Sequence, residues 1–115
     1  MYNNKYRLSY LPLFYRDLED KITYIAKDLK NPRAANQLLD KVEKAILERL
    51  PVAEAFEPYH SIKERKYQYY RIYINNFTIY YVIIDDDPND KIMEVRRFLY
   101  NGQTKKKYYN SFYQF

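Results

Sequence analysis

From Lys5 the side chains alternate, with Tyr6, Leu8 and Tyr10 on one side of the backbone and Lys5, Arg7 and Ser9 on the other. A period of two with one apolar face predicts a strand with one buried surface. At Pro12 the period changes. Leu11, Phe14, Tyr15, Leu18, Ile22, Ile25 and Leu29 recur at steps of three and four, with Arg16, Asp17, Glu19, Asp20, Lys21 and Lys27 between them. That spacing predicts an amphipathic helix of about four to five turns. The "KNP" that follows stops it, because the residue before a proline avoids helical angles. Asn31 is placed to cap a second helix, with Pro32 at its first position. Ala35, Leu38, Leu39, Val42, Ala45, Ile46 and Leu50 supply its stripe, and Pro51 ends it. Two helices joined by so short a link form an antiparallel hairpin. Ala34 and Ala35 are small enough to let the two helices approach closely near that link.

Residues 51–66, "PVAEAFEPYHSIKERK", combine two prolines with several charges and read as a long surface loop, a length often tied to function. Strand periodicity then returns. "YQYYRIYI" sets Tyr70, Ile72 and Ile74 on one face against Tyr69, Arg71 and Tyr73 on the other. The "NN" after it suits a two-residue turn, since asparagine tolerates positive φ. "FTIYYVII" is almost continuously apolar and fits a central strand. "DDDPND" turns the chain once more, and "KIMEVRRFLY" is the last strand. The order β-α-α-β-β-β places a helical hairpin on one face of a small, mostly antiparallel sheet, an α+β design. One domain over residues 1–115 is expected, with 104–115 a basic and aromatic tail.

Composition narrows the chemistry. The chain has no cysteine, so disulfides and cysteine-ligated zinc are excluded, and a reducing cytoplasm fits. No apolar run approaches the ~18 residues of a membrane span, and "MYNNKYRLSY" lacks the apolar core of a signal peptide. A net charge of +5 is compatible with nucleic acid or an acidic protein partner. Sixteen tyrosines are the odder feature. An apolar ring with one polar tip suits half-buried sheets and wet interfaces.

Several stretches, in order, resemble the RelE/ParE family of bacterial toxins from toxin–antitoxin pairs. "LFYRDLEDKITYIAKDL" is similar to the family's first helix and "NPRAANQLLDKVEKAILERLP" to its second. "YYRIYINNFTIYYVI" resembles its central hairpin, and "VRRFLYNGQT" its last strand and exit. The likeness covers roughly residues 5–104. It implies a toxin neutralised by a cognate antitoxin and needing no cofactor or metal. It leaves two targets open, and a non-toxic binding module as a third alternative, because members of this superfamily act differently on one scaffold. Some cut mRNA on the ribosome; ParE toxins poison DNA gyrase without known hydrolytic chemistry. The oligomeric state is not legible.

For the endonuclease, the chemistry needs a base for the 2′-OH, a cation for the phosphorane and an acid for the leaving oxygen. The resemblance offers Arg71 and Arg97 as cations, Arg71 on the face of Tyr69 and Tyr73. The plainer alternative is that one or both bind a carboxylate or a carbonyl near the end of the sheet. In a regular strand Arg96 points away from Arg97. Tyr100 stands where many relatives carry histidine, Gln103 where many carry arginine, and Thr104 where aspartate is common. Tyr100 can position or stack, but a tyrosine with a pKa near ~10 is a poor acid–base group. Glu57, in a Glu-Pro setting, resembles a proposed base, and His60 is the sole histidine. Lys63, Arg65 and Lys66 form a basic cluster in the same loop. In the tail, Lys105, Lys106 and Lys107 precede Tyr108, Tyr109, Phe112, Tyr113 and Phe115. Lysines beside rings suit RNA, or an antitoxin, yet the same rings also suit packing onto the fold.

Overall fold

The computed structural model describes residues 5–59 and 66–102. Strand β1 (Tyr6–Tyr10) leads into helix α1 (Pro12–Thr23), which continues as a π-helical turn over Tyr24–Asp28. Helix α2 (Pro32–Arg49) runs into a short 3-10 turn over Leu50–Val52. Strands β2 (Tyr69–Ile74), β3 (Phe77–Ile84) and β4 (Lys91–Tyr100) complete the fold. They form one four-stranded sheet in the order β1-β4-β3-β2. The pairs β2–β3 and β3–β4 are antiparallel, whereas β1 lies parallel to β4. The architecture is α+β, on a mixed sheet whose first and last strands are neighbours.

The local signals act as their chemistry dictates. Asn31 Oδ1 accepts a hydrogen bond from the Ala34 N–H at 3.1 Å, with Pro32 at the start of the helix. Such a cap is worth about 1 kcal/mol. Lys30, at φ 52°, turns the chain between the helices. Asn75, at φ 51°, turns it between β2 and β3, a conformation asparagine enters at little cost. Where α1 ends, Leu29 N–H bonds Tyr24 C=O and Asn31 N–H bonds Ile25 C=O, each at 3.0 Å. These wider loops make the last turn π-helical rather than α-helical.

The main core lies between the helical hairpin and the sheet. Phe14, Leu38, Val42 and Ile46 from the helices meet Ile72, Ile74, Ile79, Tyr81, Met93, Val95 and Phe98. Phe98 is stacked on Phe77 and meets Phe14 edge-on. Tyr15, Leu29 and Leu39, which the periodicity assigns to the apolar stripes, are exposed instead. The sheet covers a narrower arc of each helix than the stripe spans, so residues at its rim stay in water.

Asp17 departs in the opposite direction. Its position in the sequence reads as part of the charged face, yet it is buried. The reason is a gap in the sheet. β1 pairs only with Lys91–Val95 of the longer β4, and the Leu11 N–H closes that ladder on Val95 C=O. Beyond it α1 takes the place of a strand. Asp17 Oδ2 accepts the Phe98 N–H at 3.0 Å, so a carboxylate satisfies a backbone donor the missing strand would otherwise have paired.

Candidate functional site

Arg97 is the second partner of Asp17. Its Nε and Nη2 donate to Asp17 Oδ2 and Oδ1 at 2.7 and 3.1 Å, a bidentate fork. The guanidinium is only 4 % exposed. Half-buried Lys21 stands beside the pair, its ammonium pKa lowered chiefly by burial and also by Arg97, and raised by Asp17 and Asp20. The carboxylate alternative is therefore the geometry Arg97 adopts. β4 is also irregular at this point, with a register shift opposite Tyr80 and Tyr81. Strict alternation fails there, and this bulge sends Arg97 to α1. Arg96 is tied to Glu94 at 2.8 Å and lies over the Tyr69 ring.

Arg71 has a different setting. β2 is the outer strand, and Arg71 stands opposite Tyr80 of β3 on the sheet face away from the helices. Its guanidinium lies 4.9 Å from the centre of the Tyr59 ring and 5.6 Å from that of Tyr73. Rings hold a cation in place without cancelling its charge. Among the described residues Arg71 has no carboxylate partner. Tyr73 is 63 % exposed. Tyr80, half-buried, meets Tyr59 and Tyr69 edge-on, and its hydroxyl pKa is raised by burial first and then by Tyr59, with Arg71 opposing. A small second cluster of Tyr69, Val82 and Leu99 supports this face from beneath. The result is a half-open tyrosine surface around Arg71. The sequence marks Tyr69, Arg71 and Tyr73 by alternation; Tyr80, inside the almost continuously apolar run of β3, and Tyr59, which only tertiary folding brings to Tyr69, carry no such mark.

The outer edge of β2 is partly closed. Tyr59 N–H bonds Tyr69 C=O. Arg49, at the end of α2, donates from Nη1 to Arg71 C=O and to the Tyr81 hydroxyl, each at 3.0 Å. Its guanidinium lies 3.5 Å from the centre of the Phe56 ring. The Tyr81 hydroxyl in turn donates to Ala53 C=O. These contacts fix the start of the loop after α2 and blunt an edge that would otherwise attract another strand.

The remaining candidates lie apart. Tyr100 is 44 % exposed at the end of β4, opposite Phe77, and meets that ring edge-on. A Cβ on Gly102 would sit 2.6 Å from Tyr100 Cε1, so the single glycine lets the chain pass close to this ring. Glu57 is exposed, two residues before Tyr59, which bridges to Tyr69 opposite Val82. Lys66 is exposed beside Asp86, at 3.9 Å, and near the Tyr67 ring. His60, Lys63, Arg65, Gln103, Thr104, Lys105, Lys106, Lys107 and Tyr109 lie outside the described residues, as does the rest of the tail. No group of acidic or histidine side chains suited to a metal ion occurs among the described residues. Nor, among these, is any helix long and apolar enough to cross a membrane.

A second polar cluster ties β1 to the loop. The buried Tyr6 hydroxyl donates to Glu54 Oε1 at 2.8 Å, and Lys91 Nζ donates to the same oxygen at 2.9 Å. Lys91 chiefly holds the Glu54 carboxyl below its usual range. Burial, then Glu54, pushes the Tyr6 hydroxyl up to about 12. A raised folded-state value means full stability below the unfolded pKa of ~10 and loss as pH climbs toward the folded one. Between pH ~10 and about 12 Tyr6 should add about 1.4 kcal/mol per pH unit to the loss of stability. Urea unfolding of Tyr6→Phe across that range should show a shallower fall than the parent; an unchanged slope would remove Tyr6 as a cause.

A helical hairpin laid on one face of a four-stranded sheet, with Arg71 among tyrosines on the other, defines a small α+β protein. The family described as "ParE toxin of type II toxin-antitoxin system, parDE" matches residues 8–103, and the chain belongs to it. It is a toxin of a type II toxin–antitoxin system, a class that pairs with cognate antitoxins. No curated protein matches the chain significantly.

Proposed function

We propose that this toxin arrests growth by binding DNA gyrase, and that its antitoxin neutralises it by covering the Arg71 face. The observation that carries this reading is the scatter of the groups a phosphate-cleaving site would have to bring together. Arg97 is forked onto Asp17 inside the fold, while Arg71 lies on the outer strand among tyrosine rings. Proton transfer requires donors and acceptors within hydrogen-bond reach of one substrate. A binding toxin needs only a presented surface, and Arg71 with Tyr59, Tyr73 and Tyr80 supplies residue types that dominate interface energetics. The match to the ParE toxins supports the same target. An antitoxin segment carrying carboxylates opposite Arg71 would complement the charge and fold as it binds.

Induced expression in a bacterial host tests this directly. The expected result is growth arrest with an induced DNA-damage response and intact mRNA. Codon-phased mRNA 5′ ends on ribosomes within minutes would instead establish the endonuclease.

A further inference from the structure

Among the asparagines of the chain, Asn101 alone is followed by glycine. The pair is exposed at the turn after β4. The main-chain nitrogen of the next residue can attack an asparagine side-chain amide, and a side chain on that residue hinders the approach. Glycine has none. The other described asparagines have worse neighbours. Asn31 precedes Pro32, which has no N–H. Asn36 lies inside α2, where the helix holds the following N–H. Asn75, Asn76 and Asn89 precede Asn76, Phe77 and Asp90, each of which carries a Cβ.

The fold also polarises the amide that would react. The hydroxyl of Thr78, buried on β3, donates to Asn101 Oδ1 at 2.5 Å. The backbone is fixed as well, because Asn101 N–H bonds Asn76 C=O at 2.7 Å. A donor on a carbonyl oxygen makes its carbon more electrophilic and stabilises the charge that an attacking nitrogen pushes onto the oxygen. A donor already in place costs no reorganisation at the moment of attack. Gly102 lies against the Tyr100 ring, where a Cβ would come within 2.6 Å of Cε1. The residue that permits this close approach is thus the one that leaves the Asn101 amide open to attack.

We propose that Asn101–Gly102 is a site of spontaneous deamidation assisted by Thr78. The Gly102 nitrogen bonds Asn101 Cγ and gives its proton to solvent, while the Cγ–Nδ2 bond breaks and Nδ2 leaves as ammonia. One water then opens the cyclic imide. Opening at Cγ leaves aspartate; opening at the main-chain carbonyl leaves isoaspartate, with the chain routed through the side chain. Either product adds a carboxylate and lowers the formal net charge of +5 by one. Isoaspartate also lengthens the main chain by one carbon ahead of Gly102 and shifts that residue relative to the Tyr100 ring. The change runs one way and needs no enzyme, so it marks the age of the toxin at the exit of β4.

Peptide mapping by mass spectrometry tests this on full-length protein incubated at mildly alkaline pH in ordinary and in heavy-oxygen water. The peptide that holds Asn101 should gain about 1 Da in ordinary water and about 3 Da in heavy-oxygen water, and should split into two products on chromatography. Asn101 should convert at least about tenfold faster than Asn75, Asn76 and Asn89. The folded protein should convert at least as fast as the same protein unfolded in urea. Thr78→Val, checked by its unfolding midpoint to be folded, should slow conversion severalfold, and Thr78→Ser, which keeps a hydroxyl, should hold the parent rate. An Asn101 that stays intact in the folded protein yet converts in urea would overturn the proposal, because the fold would then protect the site. So would an equal or faster rate in folded Thr78→Val, since that outcome removes the hydroxyl from the reaction.

Discussion

Asp17→Ala is expected to lower the unfolding free energy by about 3–5 kcal/mol, the range for breaking a buried ion pair from one side. Asp17 answers three donors, two from the Arg97 fork and one from the Phe98 backbone. Removing its carboxylate strands a guanidinium that is 4 % exposed, and leaves β4 unpaired where β1 has ended. The loss is a large share of the about 5–15 kcal/mol that holds a domain together. Asp20→Ala, three residues on and exposed, is the control and should stay within about 0.5 kcal/mol of the parent. Urea titration followed by circular dichroism measures both. Because the pair is buried, the Asp17 effect should barely change with salt. Equal stability of the two variants would mean that Arg97 finds another partner and that Asp17 is not the stop for β4.

Arg71→Glu should abolish growth arrest without unfolding the protein. The residue is half-buried, and among the described residues its guanidinium contacts only aromatic rings, so the core loses nothing. Reversing its charge removes a cation from the tyrosine face and places a carboxylate where an acidic partner would lie. An interface anchor of this kind is worth about 2 kcal/mol or more, a drop in affinity of about thirtyfold. Colony counts after induction read the loss of toxicity, and the unfolding midpoint shows that the fold is kept. Tyr73→Ala, on the same face, should weaken arrest in the same direction. Full toxicity of Arg71→Glu would move the target surface elsewhere, with the helical hairpin the next region to examine.

Much of the fold could be read along the chain because its signals are local. The Asn31–Pro32 start of α2, the Asn75 turn and the change from period two to period three or four all act over a few residues. What escaped depends on contacts across the chain. Asp17 falls three residues after Phe14, close to the buried stripe, yet only the early end of β1 explains why a carboxylate belongs there. The parallel pairing of β1 with β4 joins residues more than eighty positions apart and leaves no local trace. The bulge in β4 breaks the alternation from which the directions of Arg96 and Arg97 were inferred. Arg49 ends a helix in sequence; in space it clamps Arg71 and Tyr81. Of the candidate site, Arg71 and Tyr73 were legible from one strand, while Tyr59 joined them through the loop.

The most direct measurement is supercoiling of relaxed plasmid by purified gyrase in the presence of the purified toxin. Gyrase poisoning predicts inhibition and cleaved DNA that accumulate with toxin concentration, with both lost for Arg71→Glu. Undiminished supercoiling at saturating toxin, from a preparation that still arrests growth when expressed, would contradict gyrase as the target.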